Sequence, residues 1–321
     1  MTKYIIKRAG IAVVVFLGIT LLVYVLISLT PGSPAEMMVG GDLSKISPEK
    51  VAEVEKQLGL DKPVFVQYIK WLGNVLKGDF GTSYKTSKPV INEIIPRLKP
   101  TLILTITSTI ISLLIAVPLG VVSAYKPYSA WDYISSALAF LGTSVPNFFI
   151  SLILIFIFAV KIKLLPVSGM YATSADQNLG SLIVHLILPM TALSLQSVGG
   201  ILRQTRGSML EALHGDYIRT SRALGVSEVR VVFRHGLRNA LLPVLTVIGG
   251  RLPFIIGGAV ITEQIFSWPG LGSLMVTSIT GRDYSVIMGI TVFIAAVVLI
   301  GNIIIDICYG LADPRIRQSR T

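Results

Sequence analysis

The stretch DYIRTSRALGVSEVRVVFRHGLRNALLP, residues 216–243, carries five arginines between two long apolar runs. Counting upstream as well, Arg203, Arg206, Arg219, Arg222, Arg230, Arg234 and Arg238 place seven arginines within residues 203–238. Inserting them into hydrocarbon would cost on the order of 20 kcal/mol on a per-residue scale, so the segment belongs on the cytoplasmic surface. From Asp216 to Leu224, Tyr217, Thr220, Ser221 and Leu224 share a helical face. Gly225 then suits the left-handed position that ends a helix. Ser227 is placed to cap a second helix, in which Val229, Val232, Phe233, Gly236, Leu237, Ala240 and Leu241 recur at i, i+3, i+4 and i+7. Arg230, Arg234 and Arg238 line its opposite face. Two helices with an elbow at Gly225 make a rigid basic knob. Interfacial helices binding anionic lipid would show the same amphipathicity, so periodicity alone does not give the knob a partner.

The surrounding chain explains why the knob must be isolated. Of 321 residues, 52% are hydrophobic and only 14% charged, with a mean hydropathy of +0.73. These values describe a polytopic membrane protein. A net charge of +11 falls between apolar runs in the pattern of topology signals, which argues against a nucleic-acid partner. The single cysteine, Cys308, excludes an internal disulfide framework.

Six uncharged or nearly uncharged runs reach the roughly 20 residues that a spanning helix needs. They are residues 9–30, 101–125, 133–160, 179–202, 240–262, which contains only Arg251, and 284–305, which ends before Asp306. The first is too long for a secretory signal and lacks a small-residue cleavage site, so it reads as an uncleaved span. With the N-terminus inside, Lys3, Lys7, Arg8, Lys126, the seven arginines and Arg315, Arg317 and Arg320 lie inside, against Lys161, Lys163 and Arg282 outside. That asymmetry of fourteen to three puts both termini in the cytoplasm. The long outer segment 31–99 is expected to carry two helices. One is opened by Ser47, Pro48 and Glu49, spaced by Val51, Val54 and Leu58 and ended by Gly59. The second runs from Pro63 through Trp71 to Leu76, with Phe65, Tyr68, Trp71 and Leu72 as its apolar face. The prolines Pro118, Pro146, Pro189, Pro243 and Pro253 lie in or beside the later spans, where kinks suit a bundle around a path.

Chemistry is scarce. The three histidines His185, His214 and His235 lack metal-ligand spacing, and no metal site is expected. The glycine-rich GDFGTSYKT, residues 78–86, lacks the lysine of a phosphate-binding loop, so no nucleotide is expected on this chain. Catalytic residues are therefore not assigned. Arg251, deep in the fifth run, should face the bundle interior or a wet cavity, as a path-lining group or as a structural partner. Asp306, near the inner end of the sixth run, is read as structural. A secondary transporter or channel would need coupling-ion residues in the spans, and only Arg251 and His185 are offered.

The arginine-rich stretch resembles the loop by which permease subunits of ABC importers dock into their ATPases, in the version of the dipeptide/oligopeptide/nickel permease family. The segments YIIKRAG with TPGSPA, LGLDKPVFVQYIKWLGNVLKGDFGTSY, VITEQIFSWPGLG, RDYSVIMG and DPRIR are similar to the N-terminal-type permease of that family along the whole chain. One departure stands out: Arg219, Thr220 and Ser221 occupy the place of an E-A-A triplet in the broader importer pattern.

The resemblance implies an all-α type I ABC importer transmembrane domain with six helices. Its parts would be an N-terminal helix over 1–30, an extracytoplasmic helical region over 31–99, a core over 100–312 with a coupling loop at 203–239, and a cytoplasmic tail over 313–321. It implies that Asp216, Tyr217, Ile218, Arg219, Thr220, Ser221, Arg222, Ala223, Leu224 and Gly225 form a coupling helix. In that helix Tyr217, Ile218 and Leu224 would be buried contacts in the ATPase cleft, and Arg219 and Arg222 polar ones. Arg251, Asn147 and His185 become candidates for the translocation path, with Pro243, Asp306, Asp313, Pro314 and Arg315 as structural positions. The implied partners are a homologous second permease subunit, two ATPase subunits that bind ATP and magnesium, and an extracytoplasmic binding protein, assembled in the cell membrane. Peptides are the implied substrate, ahead of nickel chelates and oligosaccharides.

Overall fold

The computed structural model describes residues 2–30, 49, 52, 53, 55, 56, 59–173 and 175–312. Helices α1 (Thr2–Ser28), α2 (Val64–Leu76), α3 (Val90–Tyr125), α4 (Ala130–Ser144) and α5 (Asn147–Leu154) come first, and α5 continues in π-helical turns over Ile155–Lys161. Helices α6 (Leu179–Leu213) and α7 (Asp216–Ala223) follow. A short α8 (Glu228–Arg230) then passes through π-helical turns over Val231–Leu237 into α9 (Arg238–Ile265), and α10 (Leu271–Thr280) and α11 (Tyr284–Ala312) complete the order. Among the described residues, five helices are long and apolar enough to cross a membrane, or six if the bent pair α4 and α5 counts as one span.

That pair corrects the expectation of one continuous span over 133–160. The chain turns through 108° between Ser144 and Asn147. Val145 is extended at φ −91° and ψ 126°, as the residue before a proline prefers, and Pro146 can start α5 but cannot continue α4. Pro118, Pro189, Pro243 and Pro253, by contrast, sit inside unbroken helices.

Helix α2 is built on α1. Tyr68 is buried with its hydroxyl 2.9 Å from that of Thr20, and the Tyr24 and Trp71 rings lie 5.9 Å apart. Leu72 is half-buried beside them, but Phe65 is 60% exposed, so the packed face is narrower than its apolar spacing implied. Of the preceding helix, Ser47, Pro48, Val51, Val54 and Leu58 lie outside the described residues. Its end does not: Gly59 has φ +73°, and the N–H groups of Gly59 and Leu60 return to the carbonyls of Lys56 and Glu55.

Two segments distant in sequence meet at the start of α11. Asp283, buried at the start of α11, accepts hydrogen bonds from the Ser83 hydroxyl, from the Tyr84 N–H at 3.2 Å and from the Val286 N–H at 3.4 Å. One turn into α11, a side chain on Gly289 would meet Val90 at 2.7 Å and Ile94 at 2.8 Å. RDYSVIMG and GDFGTSY are thus two halves of one joint.

Glu263 forms a second joint. Fully buried at the end of α9, it accepts from the Thr101 hydroxyl at 2.6 Å and from the Ser273 N–H at 2.9 Å in the first turn of α10. Thr101 in turn accepts from the Leu271 N–H at 2.7 Å, and the Trp268 indole donates to the Pro100 carbonyl at 3.0 Å. A Cβ at Gly270 would fall 2.1 Å from the Glu263 carboxylate, so only glycine leaves that group room.

Candidate functional site

The basic knob hangs from α6, which runs unbroken for 35 residues and ends at Leu213. Gly215 makes the tight turn into α7, where any side chain would meet the Tyr217 ring at 2.6 Å. Gly225 closes α7 at φ +74°, with its N–H and that of Val226 returning to Arg222 and Ser221. The elbow is braced by Arg222, whose guanidinium donates to both carboxylate oxygens of Glu228 at 2.8 and 3.3 Å.

The second helix differs from its periodic reading. Ser227 stands at its start but makes no side-chain cap, and Val231–Leu237 is wound as π-helix. A π-turn adds a residue and rotates the helix beyond it. Val231, Val232, Gly236 and Ala240 are therefore buried, while Val229 and Phe233 of the expected inner face point outward, Phe233 at 56% exposure. Val232 and Ala240 pack with Met209, Ala212 and Leu213 of α6 and with Val121 and Ala124 of α3. Arg230, Arg234 and Arg238 remain exposed as expected.

The surface of the knob is correspondingly mixed. Leu224 is 78% exposed and Tyr217 and Val229 are exposed too, so these residues and Phe233 present apolar groups among arginines. Ile218 is the exception. It is fully buried within this chain, so it anchors the knob and is not available to a partner, contrary to the expectation. Its burial is worth about 2 kcal/mol, enough to hold so short a helix in place. Arg219 reaches only Asp216, at 3.6 Å with both side chains largely exposed, a geometry of little energetic weight.

The other expected positions divide. Asn147 is buried, and its amide donates to the Thr262 hydroxyl at 2.7 Å, so it ties α5 to α9 and does not face open space. His185 is half-buried, with Nδ1 2.8 Å from the Ser181 carbonyl of its own helix. Arg251 lies within α9 together with Pro243, but its side chain is outside the described part of the structure. Asp306 pairs with Arg8 at 3.2 Å and so joins α11 to α1, which gives the Arg8 of YIIKRAG a structural partner. Asp313, Pro314 and Arg315 lie outside the described residues.

One cluster has no counterpart among those expectations. Arg206 on α6 grips Asp132 on α4 in a two-pronged contact, Nε–Oδ1 2.7 Å and Nη2–Oδ2 2.9 Å. Asp132 is 5% exposed and also accepts from the Ser123 hydroxyl and the Tyr128 N–H. The pair is enclosed at its carboxylate end and half open at its guanidinium end, since the Arg206 side chain keeps 29% of its surface. Both charges stand just beyond the ends of uncharged runs, where solvated loop residues are the simple expectation. Only the packing of α4 along α6 reveals their contact.

The described residues thus form a helical membrane bundle with a braced basic knob at the end of α6. The chain belongs to the family of binding-protein-dependent transport system inner membrane components, which it matches over residues 116–318, and it matches the N-terminal region of the same kind of membrane component over residues 1–105. It is 46% identical to the oligopeptide transport system permease protein AppB of Bacillus subtilis, covering 98% of this chain and 99% of that protein. It is 38% identical to the dipeptide transport system permease protein DppB of Escherichia coli K12 over the full length of both. A di/tripeptide transport system permease protein DppB of Pseudomonas aeruginosa is 39% identical, again over both full lengths. Among solved structures, the inward-facing MetNI methionine ABC transporter shares the fold with a TM-score of 0.57 at 18% identity, covering 71% of this chain and all of that one. The protein is thus a multi-pass ABC-importer permease of the type I fold.

Proposed function

We propose that this subunit forms, with a homologous second permease, a path that carries short peptides inward across the cell membrane. An extracytoplasmic binding protein delivers the peptide, and two separate ATPase subunits hold ATP and magnesium and supply the work. Both termini and the knob face the cytoplasm, in keeping with the fourteen-to-three asymmetry of basic residues. The observation that carries the reading is the knob surface. Tyr217, Leu224, Val229 and Phe233 are exposed between Arg219, Arg222, Arg230 and Arg234 on a helix pair that is internally braced. Aromatic and aliphatic groups ringed by arginine suit a protein cleft. Because α8, the π-helical turns and α9 follow one another without a break, displacement of the knob passes directly into a spanning helix, which gives rigid-body alternating access.

Peptide is favoured over nickel chelates and oligosaccharides by the names of the similar permeases, which are those of oligopeptide, dipeptide and di/tripeptide transport systems. Arg251, midway along α9, remains the candidate for contact with an anionic group of the cargo. The test is uptake of a labelled peptide into proteoliposomes that hold the two permeases and the ATPases, with the binding protein added outside. Uptake should require ATP and binding protein together. Uptake by this chain alone, without ATPases, would overturn the proposal.

A further inference from the structure

The contact between α4 and α6 is unusually smooth over most of its length. The buried face of α4 is Asp132, Ser135, Ala139 and Gly142, three of them small. Where it crosses α6, a Cβ on Gly142 would fall 2.3 Å from the Leu195 carbonyl, and one on Gly199 would fall 2.4 Å from the Ala139 carbonyl. The two backbones therefore touch directly. Such a seam allows close approach, as small residues do between membrane helices, yet it offers few interlocking side chains to resist sliding along the axis. The register is fixed by polar contacts. Arg206 holds Asp132 at the first turn of α4 through two charged hydrogen bonds, and Arg203 donates to Thr143 at its last turn at 3.2 Å.

The position of this clamp matters. Arg206 lies two turns before Leu213, where α6 ends and the knob begins. Asp132 opens the helix that breaks at Val145–Pro146, and beyond the break Asn147 is tied to Thr262 of α9. The sequence of contacts runs from the knob, through Arg206 and Asp132, along α4 to the bend in the third span. A bidentate guanidinium–carboxylate pair transmits displacement with a defined direction, which an apolar contact of equal area would let slip.

We infer that Arg206 and Asp132 are positioning residues for transport: their ion pair is the joint through which movement of the knob reaches the broken third span. The inference rests on the ATPase-docking role of the knob. It is tested in the complete reconstituted complex by measuring ATP hydrolysed per peptide imported. In Arg206→Gln, uptake falls while hydrolysis stimulated by loaded binding protein persists, raising that ratio about tenfold, within the range by which residues between two sites alter their coupling. Arg206→Lys, which keeps the charge but loses the two-pronged grip, gives an intermediate rise of about threefold. A purely structural role predicts that hydrolysis and uptake fall together at a constant ratio, and that result overturns the inference, as does a ratio unchanged in both variants. If Arg206→Gln does not assemble, Arg206→Lys decides alone, and an unchanged ratio in it overturns the joint. Failure of the wild-type complex to import peptide would instead refute the transport reading.

Discussion

The two ends of this bundle hold their carboxylates in different ways. At the end formed by α2 and α10, Glu263 and Asp283 are held by neutral donors. Each serves the start of a helix and accepts from a hydroxyl and from backbone N–H groups, which cannot move without the fold. At the end that bears the knob, Asp132, Glu228 and Asp306 each meet an arginine side chain on another element. Backbone donors make a fixed joint; Asp132 has one such donor in Tyr128 but takes its two charged hydrogen bonds from a longer and more flexible arginine side chain. The α10 end is a welded frame, and the knob end carries the arginine joints.

The largest effect is expected at the weld. Glu263→Leu strands the Ser273 N–H and the Thr101 hydroxyl in a dry interior, and should cost about 3 kcal/mol, read as a lowered Tm of the purified complex. Gly270→Ala should come close to it, since its methyl group cannot coexist with the carboxylate as placed. If both variants melted as the wild type does, the α10 end would not be the rigid half. A smaller cost, about 1 to 2 kcal/mol, is expected of Gly225→Val, which forces a β-branched residue to φ +74°. Its consequence is local: membrane insertion stays normal while ATPase association or transport is lost. Unaffected transport would count against the docking role.

How much of this was legible from residues alone depended on the kind of contact. Hydropathy gave the apolar spans, and Gly225 and Gly59 announced their helix ends because a left-handed residue has a local signature. The break at Pro146 was visible only as a kink-prone site, since neighbouring packing decides whether a proline bends a helix, as Pro118 and Pro189 in unbroken helices show. The π-helical turns over Val231–Leu237 could not be foreseen from spacing. They exchange Phe233 for Val231 on the buried face and thereby create part of the exposed apolar surface. Asp132, Arg206 and Glu263 stayed hidden for a different reason. Each stands at the edge of an uncharged run, where a charge costs nothing if solvated, and long-range packing buries them.

Within the knob the same contrast between fixed and free groups can be sharpened. Leu224 is exposed, so Leu224→Asp should leave the Tm unchanged while weakening ATPase binding about tenfold, if it enters the partner's cleft as a hot-spot residue. The two arginines of α7 separate the roles further. Arg222 braces the elbow through Glu228, so Arg222→Ala disturbs both the shape of the knob and any contact the residue makes. Arg219 has only a loose, exposed pairing with Asp216, so Arg219→Ala removes nothing that the fold uses. Its Tm should match the wild type. A modest fall in ATPase affinity in Arg219→Ala, rescued by Arg219→Lys, would then report a charge contact in the cleft. An affinity unchanged in Arg219→Ala but reduced in Arg222→Ala would instead locate the polar part of the surface at the braced elbow.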